Sequence, residues 1–112
     1  MPPLTYHLVP CTEWEAADSH QPYVPRGFDR DGFVHCTDGA EELAATANRY
    51  FSSLQGELLA LVVDLGLISA PVRYEDPRRV YPHVYGHIER TAIVDVLTMP
   101  RDAHGTYLPL PA

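Results

Sequence analysis

The residues best suited to chemistry fall in three short pieces of this chain. They are Gly-Phe-Val-His-Cys-Thr at 32–37, Arg-Tyr-Glu at 73–75 and Pro-His-Val-Tyr-Gly at 82–86. Arg73 can grip a phosphate through two parallel hydrogen bonds. His35 or His83 can donate to a phosphate or a ribose hydroxyl, and the Thr37 hydroxyl adds a further donor or acceptor. Tyr85 can stack on a heteroaromatic ring, and Glu75 can accept from a ribose hydroxyl. Taken singly, each piece also reads as ordinary structure. Arg73 and Glu75 can form an exposed pair worth under ~1 kcal/mol, and the rings can complete a core.

Other chemistries fit the sequence less well. The chain holds six histidines, but only His83 and His87 stand four apart, and a glycine-bearing loop carries them. Cys36 adjoins His35, and neighbours on a strand point to opposite faces. The expectation is therefore no metal site. No Gly-x-Ser-x-Gly elbow is present, and Cys11 lies just past a proline that ends a strand, so a nucleophile of that kind is the weaker reading.

These pieces need elements to position them. Asp31-Gly32 is a turn signal, and Phe33 to Cys36 reads as a short strand. That strand feeds a helix expected over Glu41–Leu54, with Thr37 or Asp38 as its cap. Leu43, Ala44, Ala47, Tyr50, Phe51 and Leu54 recur at spacings of three and four along it, and Gly56 marks its end. A histidine beside a helix N-terminus sits near unpaired backbone donors, which suits an anionic ligand.

Before it, Leu4–Val9 is a first strand ended by Pro10, and Thr12 to Glu15 matches a capping box for a short helix through Ser19. Trp14 packs that helix on the sheet. Residues 21–30, with Pro22, Pro25 and Gly27, read as an irregular loop. After the long helix, Glu57–Leu65 is almost continuously apolar, as expected of a central strand covered on both faces. A helical turn at 65–68, a strand at 72–75, a charged turn at 76–79 and a last strand at 93–99 follow. From Pro100 the proline-rich tail reads as an extended strap over the surface.

The class is therefore α+β, one compact domain over 1–112 with its core at about 4–99 and two helices in the N-terminal half. With 46% hydrophobic and 21% charged residues, the 112-residue chain is an ordinary globular composition. A net charge of −7 and a pI near 5.1 argue against a protein whose whole surface tracks nucleic acid. No stretch approaches the ~18 apolar residues of a membrane span. Two cysteines without metal-like spacing and the absence of a visible signal peptide point to the cytoplasm.

The order Thr-Tyr-His-Leu, Gly-Phe-Val-His-Cys-Thr, Leu-Leu-Ala-Leu-Val-Val-Asp, Arg-Tyr-Glu and Pro-His-Val-Tyr-Gly resembles the DUF952 family of small bacterial proteins across residues 4 to 99. That family has been grouped with the ADP-ribosyltransferase-like fold, so the resemblance implies a split, mostly antiparallel sheet around an NAD-binding cleft. It also implies roles. His35, Thr37, Arg73 and Tyr85 would hold NAD or a nucleotide-like ligand, with His35, Glu75 and His83 as candidate catalytic groups. Many transferases of this fold carry a late glutamate that supports an oxocarbenium-like transition state. Here Glu89 and Asp95 match no such pattern, and Glu75 lies earlier. A histidine-based variant, like the RNA 2′-phosphotransferases of the superfamily, would use His35, Arg73 and His83 around a phosphate. Two functions follow as expectations: transfer of ADP-ribose from NAD, or a non-catalytic module for a nucleotide-like or phosphate-bearing ligand.

Overall fold

The computed structural model describes residues 3–111; residues 1, 2 and 112 of the expected domain lie outside it. Its centre is strand β3 (Leu58–Asp64), flanked by β1 (Leu4–Pro10) and β6 (Ile93–Thr98) in an antiparallel sheet of order β1-β3-β6. The first six residues of β3 are all buried, which explains their unbroken apolar run. Side chains alternate along a strand, so β3 serves two cores. Leu59, Leu61 and Val63 join Val9, Val34, Val84 and Ile88 on one face. Leu58 and Ala60 join Leu43, Ala47, Met99 and Tyr107 on the other.

Each face has its own cover. The first is closed by a second antiparallel sheet of short strands, β2 (Val34–His35), β5 (Pro82–Val84) and β4 (Val72–Tyr74), in the order β2-β5-β4. The second face is closed by helix α3 (Ala40–Tyr50) and the C-terminal tail. The α+β class is as the sequence reads, and the antiparallel sheets are as the family resemblance implies. Beyond β2, reciprocal backbone bonds join Tyr6 and Thr37 (3.0 and 2.8 Å), tying the two sheets together.

Several local expectations need correction. Helix α1 spans Cys11–Ala16 and starts on Pro10, not on Thr12, and the capping box does not form. Proline's fixed φ suits a helix start, and the Cys11 amide is already satisfied by Glu57 O at 2.9 Å. The loop at 21–30 ends in a one-turn helix, α2 (Phe28–Asp31), closed by Gly32 at φ 79°, so the N-terminal half holds three helices, not two. Helix α3 is capped by Gly39 at φ 89°, a conformation open to glycine and not to Thr37 or Asp38. The Asp38 carboxylate instead accepts from Tyr74 OH at 2.6 Å. The helix stops at Tyr50, short of Leu54, and Gly56 serves the turn into β3.

The tail is more than a strap. Tyr107 and Leu110 are buried in the core under α3. Asn48 holds the tail there by pairing its side chain with both the N–H and the C=O of Tyr107, at 2.8 and 3.0 Å.

Candidate functional site

The outward face of the second sheet is built by strict alternation. Val34, Val84 and Val72 lie opposite one another in register and point to the core. The residues beside them, His35 after Val34, His83 before Val84 and Arg73 after Val72, again lie directly opposite one another. Period-two alternation therefore lines two imidazoles and a guanidinium in one cross-strand row on the other face. The three pieces singled out in the sequence are the three strands of this sheet.

Around the row the side chains are mutually held. The Phe33 ring stacks on His83 (centroids 4.0 Å, interplanar angle 19°) and meets Tyr85 at 5.3 Å. His35 and His83 meet edge to face at 5.6 Å. His83 Nδ1 donates to Glu75 Oε1 at 3.1 Å, and Tyr85 OH donates to the same carboxylate oxygen. These two donors hold the Glu75 carboxyl below its ordinary range, the Tyr85 bond contributing most, and the same bond raises Tyr85. Arg73 lies over the Tyr85 ring, 5.3 Å from its centroid. On the other side His35 Nε2 donates to Asp31 Oδ2 at 3.1 Å, while Arg30 Nε donates to Asp31 Oδ1 at 2.9 Å. Arg30, then His35, keeps the Asp31 carboxyl low.

The result is two imidazoles, each with one nitrogen fixed by a carboxylate and the other without a partner among the described residues. That arrangement sets the tautomer and leaves a lone pair for proton transfer or for a protonated contact with an anion. His35 is the open member, with 61% of its side chain exposed against 21% for His83.

Beneath His35 lies a histidine that the sequence reading counted without assigning. His7 alternates inward on β1 with Thr5 and Val9 and is buried. Its Nδ1 donates to the His35 carbonyl at 2.6 Å, which leaves Nε2 to accept from Tyr23 OH at 3.0 Å. Burial lowers its pKa to about 4, so it is a neutral strut that fixes the His35 backbone. Burial also pushes the Cys36 thiol up to about 12, which removes it as a nucleophile near neutral pH.

A cleft of about 650 Å³ opens beside the row, within the about 300–1,000 Å³ typical of small-molecule sites. His7, His35, Thr37 and His83 line it, facing Arg49 and Tyr50 from α3. Thr37 thus reaches the cleft, although it is buried. Arg73, Glu75 and Tyr85 share the sheet face but do not line the cleft. Among the described residues no three His, Cys, Asp or Glu side chains converge as metal ligands. The Asp31, His7, Arg49 and Tyr50 contributions were missed in the sequence. Only the i,i+4 spacing of Asp31 and His35 offered a signal.

Fold and site together define a small three-layer α+β protein, two antiparallel sheets and a helix, with a histidine-lined cleft. Residues 8–96 match the model of DUF952, described as a protein family of unknown function, and the chain belongs to that family. The crystal structure of protein CC0527 from Caulobacter crescentus shares the fold, with a TM-score of 0.78 and 22% identity over 94% of this chain and 93% of that one. The solution structure of CC0527 is similar at a TM-score of 0.69 and 25% identity, over 91% and 89%. No curated protein matches the chain. No helix among the described residues is long and apolar enough to cross a membrane.

Proposed function

We propose that the His35–His83–Arg73 row and the adjoining cleft bind a small nucleotide-like ligand through its phosphate, with NAD as the leading candidate. The observation that carries this reading is the register itself, which sets three phosphate-competent side chains opposite one another on one exposed face. The split pair of antiparallel sheets beside a cleft supports the ADP-ribosyltransferase-like superfamily as the wider relationship. Free Cys11 and Cys36 support a reducing, cytoplasmic setting.

Between binding and transfer, the geometry favours phosphate recognition with histidine acid–base chemistry over glutamate-supported glycosidic cleavage. Glu75 does not line the cleft, and its Oε1 accepts from both His83 and Tyr85. Glu75 is thereby a positioning group for His83, and the free imidazole nitrogens are the groups able to move protons. If the bound ligand is NAD, transfer of ADP-ribose would draw its acid–base group from His35 or His83 and not from Glu75, with Tyr85 at the edge of the nicotinamide position.

The test is thermal unfolding with NAD, ADP-ribose and inorganic phosphate. A ligand at one hundred times its Kd adds about 2.7 kcal/mol. A shift with NAD that disappears in His35→Ala and Arg73→Ala supports the site, and release of labelled nicotinamide separates turnover from binding. No shift with any of the three overturns it.

A further inference from the structure

The cleft has a second wall that the histidine row does not explain. Every one of the chain's eight cationic side chains is an arginine, and two of them, Arg30 and Arg49, line the cleft. Arg30 is offset by Asp31. Arg49, exposed near the C-terminal end of α3, has no carboxylate within ion-pair distance among the described residues.

The acidic groups nearby are already engaged. Glu13 accepts from the Arg26 amide, and Asp76 accepts from the amides of Val80 and Tyr81. Glu42, two turns earlier on α3, feels the Arg49 charge, but its oxygens are held by Arg78 and Tyr81. Of the two arginines at this cavity wall, Arg49 is therefore the one that no carboxylate pairs directly among the described residues. Its guanidinium stands 5.8 Å from the centroid of Tyr50, a ring 69% exposed at the same wall. The hydroxyls of Tyr81 and Tyr50 accept from the guanidinium and hold it at the wall, and with five N–H donors it keeps others for an anion.

We infer that Arg49 forms a second anion subsite, so that the cleft selects ligands bearing two phosphoryl groups, such as a nucleoside diphosphate or its ester. The inference rests on the phosphate reading of the histidine row and extends it: the row takes one phosphoryl group and the α3 wall takes the next. Tyr50 and Phe51 at the same wall then offer apolar and aromatic surface to the remainder of the ligand.

The experiment compares inorganic phosphate, AMP, ADP and NAD by calorimetric titration on the folded protein. Arg49→Met keeps the aliphatic stem and removes the charge, whereas Arg49→Lys keeps a charge without the fork. Unaltered protein is expected to prefer ADP and NAD over AMP by about tenfold, the worth of one hydrogen bond to a charged group. Arg49→Met is expected to abolish that preference while leaving phosphate affinity unchanged, and Arg49→Lys to restore part of it. A preference that survives in Arg49→Met, or that is absent from the unaltered protein, overturns the second subsite while phosphate binding sensitive to His35→Ala keeps the first reading. Absence of all binding overturns both.

Discussion

The two sheets of this protein are made from the same alternation and put to opposite uses. In β1-β3-β6 the strands run seven, seven and six residues, and both faces of β3 are buried. In β2-β5-β4 they run two, three and three, and only one face is covered, with Val34, Val84 and Pro82 buried and Val72 half-buried. The long sheet therefore carries the hydrophobic stabilisation. The short sheet needs little more than Val34, Val84 and Val72 to stay docked, which frees its other face for polar side chains. Burying both faces leaves no position for chemistry, whereas burying one leaves every second residue available. The comparison implies that stability and ligand recognition should respond to different substitutions.

The most direct way to break that division is in the long sheet. Leu61, at the centre of β3, is fully buried between Val9, Val34 and Val84. Leu61→Ala should cost about 3–4 kcal/mol, from lost transfer energy and the cavity left behind. Urea unfolding measures it. Binding by the remaining folded molecules should be unaltered. A loss below ~1 kcal/mol would mean that β3 is not the structural centre.

His7 couples the two sheets and sharpens the comparison through pH. Its folded pKa is lowered from 6.5 to about 4, chiefly by burial, with Tyr23, Glu13 and the His35 carbonyl around it. The unfolded chain thus takes up a proton in the window between these values that the folded protein refuses. Stability is full above pH 6.5 and falls as pH drops toward 4, by about 3 kcal/mol in all. At the acid end of that window and below it, the lowered carboxyls of Glu42, Glu75 and Asp31 add losses of the same sign. His7→Asn keeps a donor for the His35 carbonyl and removes the titration. Its urea stability should be nearly flat from pH 6.5 to 4.5, and an unchanged slope would exclude His7 as the source.

How much of this was legible depended on how local the cause was. The run Leu58–Asp64 declared itself by composition, and Val34-His35 and Val72-Arg73 read as short strands, whereas Pro82–Val84, read as a glycine-bearing loop, is strand β5. His35, Arg73 and His83 were joined by their chemistry and by the family resemblance; the register that sets them on one sheet is a finding of the structure. The helix ends were misread because backbone conformation overruled side-chain capping, with Gly39 at positive φ and Pro10 at the start of α1. The tail was misread because its anchor, Asn48, lies 59 residues before Tyr107. The Arg49 wall of the cleft was invisible for the same reason: residues of α3 and of the short sheet, far apart in the chain, line one cleft. Contacts set by packing across layers leave no period in the sequence.

The smallest expected effect on stability bears most directly on the outer face of the short sheet. Glu75→Gln removes the carboxylate that accepts from His83 Nδ1 and Tyr85 OH, without changing the side-chain shape. The group is exposed and supports no core contact, so the urea midpoint should stay within experimental scatter. The Tyr85 phenol, held up mainly by its bond to Glu75, should return toward its ordinary value of 10.0, which ring resonances followed through an alkaline titration will register. His83 would lose its fixed tautomer, and phosphate binding should weaken several-fold. A fall in the midpoint with binding intact would make the Glu75 cluster a structural clamp, and the two sheets would then differ in size but not in use.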